Sequence, residues 1–340
     1  YEPGSTFKIF TTAAAIESGA VSERDTFFCP GYRVVDGKRI KCWRSIGHGS
    51  QHLAEGVKNS CNCVFMDLAL RMGTGKFYDN LHKFGFGAKT GIDFYSESSG
   101  LMMNEKSVKT VDLARIGFGQ AVAVTPVQLI SGVSAIVNGG VYHTPHFVES
   151  ITSSNGETLY EHRGEERRVV GESTSKQMRS LLENVVKEGS GKKAGVAGYR
   201  VGGKTGTAQK YENGAIAQGK YVSSFVGFAP VDNPKYAVLM IIDEPGTYAY
   251  YGSIVAAPYV GGVFSKIFES EGIEPTEMVE ERELVELPQL CGKSVNAAMN
   301  ELDALGIKYE ISGEGEIVST TLPLAGKTVE KGDYVLLGLE

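Results

Sequence analysis

The sequence predicts an α/β protein of the α+β kind: an antiparallel sheet flanked by helices, followed by a small α+β module at the C-terminus. Three observations carry this. Apolar residues recur at helical spacing in separate blocks before residue 140. Two β-rich runs, Tyr221–Ala229 and Tyr236–Ile242, flank Pro230-Val231-Asp232-Asn233-Pro234, a hairpin pattern. Then Glu274, Pro275, Glu277, Glu280, Glu281 and Glu283 form an acidic stretch that sets off a last segment with its own pattern. The expected division is a main domain over 1–272, a solvated acidic linker over 273–284 and a C-terminal domain over 285–340.

Taken in order, Pro3-Gly4 makes a turn, and a buried helix begins at Ser5. It runs through Phe7, Ile9, Phe10, Ala13, Ala14, Ala15 and Ile16 and stops at Gly19. Residues 20–52 are short, glycine-punctuated pieces. A second helical region over 53–72 carries Leu53, Val57, Val64, Leu68 and Leu70, with a break near Asn59-Ser60. Thr125-Pro126 pairs a hydroxyl cap with proline in the first turn, and that helix ends at Gly139-Gly140. A helix over 258–270 closes the main domain, and another runs from Ser294 to Leu305 before short strands with glycine-rich turns. The chain opens on Tyr1-Glu2-Pro3-Gly4-Ser5 without initiator methionine, signal or anchor, so upstream sequence is expected to be missing.

Composition narrows the function classes. With 42% hydrophobic and 22% charged residues in 340, the chain is an ordinary globular protein. A net charge of −6 argues against a nucleic-acid partner. No run of 18 apolar residues is present to span a membrane. Five cysteines are too few for a disulfide framework, yet four of them, Cys29, Cys42, Cys61 and Cys63, fall close together.

Ser5-Thr6-Phe7-Lys8 sets a hydroxyl and an amine on one helix face, a turn apart. A serine there is commonly just an N-cap. Lys8, however, lies between Phe7 and Ile9 in a helix that reads as buried, where an ammonium is costly unless its pKa falls. A lysine with lowered pKa is a base able to activate the serine. Ser60-Cys61-Asn62 sits at the break in the second helical region, and Gly203-Lys204-Thr205-Gly206-Thr207 precedes the strand-rich part.

The order Ser-x-x-Lys, Ser-x-Asn, Lys-Thr-Gly resembles the penicillin-recognising serine acyltransferases. The spacing of Ser5, Ser60 and Lys204 resembles the class B penicillin-binding proteins, the peptidoglycan D,D-transpeptidases. Tyr1-Glu2-Pro3-Gly4-Ser5, Thr125-Pro126-Val127-Gln128-Leu129 and Gly203-Lys204-Thr205-Gly206-Thr207-Ala208-Gln209 extend the likeness. Residues 285–340 resemble a PASTA module in Leu287-Pro288, Gly292, Ala298, Leu302, Gly306, Pro323, Gly326 and Gly332. A single such module, with Cys42-Trp43 and Gly47-His48-Gly49, is most similar to the sporulation-specific type.

The resemblance implies the penicillin-recognising fold and a serine acyl-enzyme. Ser5 would attack the penultimate D-Ala of a stem peptide, and Lys8 would take its proton. Ser60 and Lys204 would carry the proton to the leaving amine. Asn62 would orient substrate and Lys8, while Thr205, Gly206 and Thr207 bind the substrate. Also implied are β-lactam inhibition, membrane anchoring with an extracytoplasmic catalytic domain, a polytopic glycosyltransferase partner and a role in spore cortex synthesis. No cofactor is expected for the acyl transfer itself.

Cys29, Cys42, His48 and Cys61 offer three thiolates and an imidazole, a set that suits closed structural Zn²⁺. Their spacing resembles a zinc site of some elongation-type members. Cys63 and His52 are the alternative ligands, and buried reduced cysteines beside a surface histidine are the plain alternative. Cys291 reads as small core filler.

Three rivals stand beside this reading. Gly198-Tyr199-Arg200-Val201-Gly202-Gly203-Lys204-Thr205 fits the P-loop formula, with Val238–Asp243 as its Mg²⁺-holding strand. A D,D-carboxypeptidase or β-lactamase would use water as acceptor; the class A lactamase needs a Glu to activate that water, and Glu97 and Glu105 lie in a suitable stretch, though no motif selects either. A non-catalytic muropeptide or β-lactam sensor would keep only the binding.

Overall fold

The computed structural model describes residues 1–212, 215–246, 249–277, 283–313 and 315–340. These form two compact units, Tyr1–Pro245 with Tyr250–Glu277, and Gly246–Ala249 with Met278–Glu340.

In the first unit a 3-10 turn, Gly4–Phe7, feeds α1 (Lys8–Glu17), whose three consecutive alanines favour helix and are fully buried. The glycine-punctuated region folds into four short strands: β1 (Thr26–Cys29), β2 (Tyr32–Val35), β3 (Lys38–Lys41) and β4 (Gly49–His52). β1 pairs with β4, and β2 with β3 through an Asp36-Gly37 turn in which both residues have positive φ. The second helical region splits as expected into α2 (Leu53–Lys58) and α3 (Asn62–Lys83). Next come α4 (Thr110–Ile116) and α5 (Pro126–Val137), the latter started by a reciprocal Thr125–Gln128 capping box. Two small ladders follow, β5 (Val141–His143) with β8 (Glu166–Arg168) and β6 (Ser150–Thr152) with β7 (Thr158–Glu161). The amphipathic α6 (Glu172–Lys187) leads to the main sheet.

That sheet is antiparallel, in the order β11 (Tyr236–Asp243), β10 (Ala215–Ala229), β9 (Gly202–Glu212). Alternation along β10 gives it two buried faces. Val226 and Phe228 join the core built on α1, α3 and α5, whereas Phe225 and Ala229 face α7 (Gly252–Val255) and α8 (Ala257–Glu271). Helices therefore cover both faces and leave β9 at one edge.

The second unit pairs β12 (Leu284–Glu286) with β15 (Thr328–Glu330). Its three-stranded sheet runs β13 (Lys308–Ser312), β16 (Tyr334–Leu339), β14 (Val318–Leu322), β13 parallel to β16. A helix α9 (Val295–Ala304), capped by Ser294, packs Ala298 and Leu302 into its core.

The solvated linker expected from residue 273 begins differently. Ile273 packs on the first unit's second core, and its carbonyl accepts from the Tyr199 hydroxyl at 2.8 Å. The backbone N–H groups of Thr276 and Glu277 both donate to Gly198 O, and Glu277 pairs with Lys187 at 2.7 Å. Apolar contact and backbone bonding outweigh the acidic composition there. Glu280 and Glu281 lie outside the described residues.

Candidate active site

Ser5 lies inside the 3-10 turn and not at the cap position expected for it, so the N-cap explanation of this serine does not hold. Lys8, three residues on, opens α1 directly after that turn, so the two residues sit about one turn apart. Lys8 is 1% exposed, yet its Nζ has three oxygen acceptors: Ser60 O at 2.8 Å, Ser60 Oγ at 3.0 Å and Asn62 Oδ1 at 2.7 Å. All three are uncharged. Burial pushes the Lys8 pKa down to about 8, against an opposing electrostatic pull from the neighbouring Cys42, Cys61 and Cys63.

The acceptors converge because α2 ends just before Ser60 and α3 starts just after Cys61. Ser60 bridges them in a left-handed conformation, φ 51°, that a non-glycine residue rarely takes. Strain of this kind persists only where surrounding contacts hold it. Asn62, on the first turn of α3, also donates to Lys41 O at 3.3 Å.

Lys204, Thr205, Gly206 and Thr207 lie in sequence on edge strand β9. Lys204 is 0% exposed, and its pKa falls well below the usual lysine value through burial and through the like charge of Lys8. Its Nζ donates to Thr205 O at 3.3 Å and Thr205 Oγ1 at 3.4 Å. At Gly206 a Cβ would lie 2.4 Å from Ser224 Oγ and 3.0 Å from Pro3 O; the missing side chain lets β9 approach the turn that carries Ser5.

This placement removes the nucleotide reading. A P-loop lysine opens a helix whose N-terminus faces phosphate, whereas Lys204 sits inside a strand. Glu97 is committed to holding a loop, accepting from Thr90 N at 2.7 Å, the Thr90 hydroxyl at 2.5 Å and Gly91 N at 3.1 Å. Glu105 lies in a separate 3-10 turn, Glu105–Ser107.

The ligand atoms of Cys29, Cys42, His48 and Cys61 all lie within 4.8 Å of one another. His48 Nδ1 is 3.7 Å from Cys42 Sγ, and its Nε2 is buried without a partner among the described residues. Cys63 adjoins the same cluster: its thiol is pushed up by hydrogen bonds with Cys42 and Cys61, then by burial. His52 is elsewhere, with Nδ1 3.2 Å from Asp25 O. Cys61 is the hinge of this arrangement, carrying the sulfur cluster between Ser60 and Asn62.

Two further contacts were not singled out in the sequence. Ser190 Oγ lies 3.0 Å from Thr205 Oγ1, and Gly252 N–H donates to Thr207 Oγ1 at 3.0 Å. A Gly189-Ser190-Gly191 turn and a glycine after two tyrosines are common patterns, so neither carried a usable signal.

Residues 1–269 match the family described as the penicillin binding protein transpeptidase domain, and residues 285–340 match the PASTA domain. The chain is 41% identical over 347 residues to stage V sporulation protein D of Bacillus subtilis strain 168, covering 98% of this chain and 53% of the relative. It is 33% identical over 257 residues to penicillin-binding protein PbpB of Mycolicibacterium smegmatis, covering 72% of this chain and 39% of the relative. Among solved structures, penicillin-binding protein 3 of Mycobacterium tuberculosis complexed with ampicillin superposes with a TM-score of 0.76 at 29% identity, over 82% of this chain and 64% of that one. The chain spans about half or less of the length of the curated relatives named here.

Proposed function

The chain belongs to the penicillin-binding protein transpeptidase family and carries a PASTA domain, and from this premise we propose that it is a peptidoglycan D,D-transpeptidase acting through a Ser5 acyl-enzyme. The observation that carries the reading is the buried Lys8 amine, bonded only to neutral oxygens of Ser60 and Asn62 one turn from Ser5.

Lys8, neutral once above its lowered pKa, accepts the Ser5 proton as Oγ attacks the carbonyl of the penultimate D-Ala. The tetrahedral oxyanion is held by the backbone N–H groups of Ser5 and Thr207, an interaction worth about 3–4 kcal/mol in such sites. The proton passes by way of Ser60 and Lys204 to the departing D-Ala amine. Thr205 and Thr207 bind the donor carboxylate, and β9 takes the donor peptide as an added strand. An amine from a second stem then attacks the acyl carbon, forming the cross-link and releasing Ser5. β-Lactams acylate the same oxygen and stay; structures of a relative complexed with ampicillin and with aztreonam support a β-lactam site.

A structural Zn²⁺ fits the donor set: three cysteine sulfurs and an imidazole nitrogen lie within 4.8 Å of one another, and His48 Nε2 is buried with no partner among the described residues. Cys29, Cys42, His48 and Cys61 would hold it, bracing the Ser60–Asn62 wall and taking no part in the acyl transfer. The proposal extends to a membrane-anchored protein with an extracytoplasmic catalytic domain, working beside a polytopic glycosyltransferase in spore cortex synthesis. The likeness to a sporulation protein supports the last point. Incubation with lipid-linked substrate and a glycosyltransferase tests the outcome of the reaction: cross-linked dimers support transpeptidation, and shortened monomers alone make the enzyme a carboxypeptidase.

A further inference from the structure

Thr205 Oγ1 has one proton and two lone pairs. Lys204 Nζ donates to it at 3.4 Å, and the Ser190 hydroxyl stands 3.0 Å away. When Ser190 donates, both lone pairs of Thr205 are filled, and its own proton is left for a ligand. Thr207, two residues along and so on the same face of β9, has one lone pair filled by the Gly252 N–H. Two adjacent hydroxyls, Thr205 with two donors behind it and Thr207 with one, make a pair whose protons can turn outward to the two oxygens of a carboxylate.

Ser190 is solvent-exposed, but its position is not left to chance. The N–H groups of Gly189 and Gly191 both bond Val185 O, at 3.1 and 2.9 Å. Glu188 pairs with Lys58 at 2.9 Å, and a Cβ at Gly189 would lie 2.9 Å from Lys58 O. The turn is thereby clamped between the end of α6 and the end of α2, two residues before Ser60.

We propose that Ser190 is a positioning residue for carboxylate recognition: it donates to Thr205 and commits the Thr205 proton to the carboxylate of the acyl donor. This deepens the acyl-transfer reading and rests on it.

The test compares acylation of Ser5 by a penicillin free acid and by its methyl ester, followed by intact mass, in the parent, Ser190→Ala and Ser190→Thr. Ser190→Ala is expected to slow the free acid about tenfold, the size of a hydrogen bond to a charged group, and the ester less than twofold. Ser190→Thr, which keeps the hydroxyl, restores the free-acid rate to within about threefold. Equal losses on acid and ester, or no loss on either, overturn the inference while leaving the acyl-enzyme standing. Failure of the parent to be acylated by either compound overturns the acyl-transfer reading, and the inference with it.

Discussion

Lys8 Nζ donates to Ser60 twice, to the backbone carbonyl at 2.8 Å and to the hydroxyl at 3.0 Å. The carbonyl bond ties the amine to the one residue that joins α2 and α3 with a positive φ. Base, hydroxyl and backbone strain are thus a single unit.

Acylation should track the ionisation of Lys8. Burial lowers its pKa to about 8, so the neutral base is scarce below that value. The rate of Ser5 acylation by a penicillin should rise close to tenfold per pH unit below about 8 and level off above it. A flat profile between about pH 6 and 9 would count against Lys8 as the base. Stability carries the same sign. The folded value lies below the ordinary 10.5 of the unfolded chain, so the unfolded state binds more protons between the two. Relative to Lys8→Met, the parent should gain stability as pH rises through that window, measured by urea unfolding.

Ser60→Gly should separate stability from activity. Glycine accepts a left-handed φ that costs an L-residue roughly 1–2 kcal/mol, so the melting temperature is expected to hold or rise. Acylation should fall at least about a hundredfold, since the hydroxyl next to Lys8 is gone. A variant acylated at the parental rate removes Ser60 from the proton path.

The sulfur cluster should contain about one zinc per chain by elemental analysis of protein never exposed to chelator. Cys42→Ser and His48→Ala should lose metal and melt earlier. They should also acylate several-fold more slowly, because Cys61 lies between Ser60 and Asn62. Metal-free protein with full stability would mean that the cysteines merely pack.

Arg200 should matter more than its position in a P-loop-like string suggests. It pairs with Glu183 at 2.6 Å and Asp232 at 2.6 Å, and the Glu183 side chain is only 7% exposed. Arg200→Ala leaves that buried carboxylate with Lys187 as its one cationic partner among the described residues. Urea unfolding should show a loss of about 3 kcal/mol, with Glu183→Gln costing less.

Much of this was legible because its causes are local. Ser5 and Lys8 are three apart, Thr125-Pro126 caps by its own side chain, and β10 and β11 alternate with a proline-bounded turn between them. What escaped depends on distant groups. The 3-10 geometry at Ser5 reflects Gly4 bonded to Gly119 O and packed on β9. The acidic segment docks because the Tyr199 hydroxyl donates to Ile273 O and the Gly198 carbonyl accepts from Thr276 and Glu277, which no count of glutamates reveals. Cys63 was legible only as a spare ligand, since its proximity to the cluster follows from where α3 begins. Ser190 is one serine between glycines until β9 brings Thr205 beside it.

Intact mass after incubation with a penicillin, on the parent and on Ser5→Ala, tests the central claim most directly. A single stable adduct on the parent, mapped to Ser5 and absent from Ser5→Ala, is the predicted result. An unmodified parent that is folded, or an adduct that survives Ser5→Ala, would contradict the assignment of Ser5 as the nucleophile.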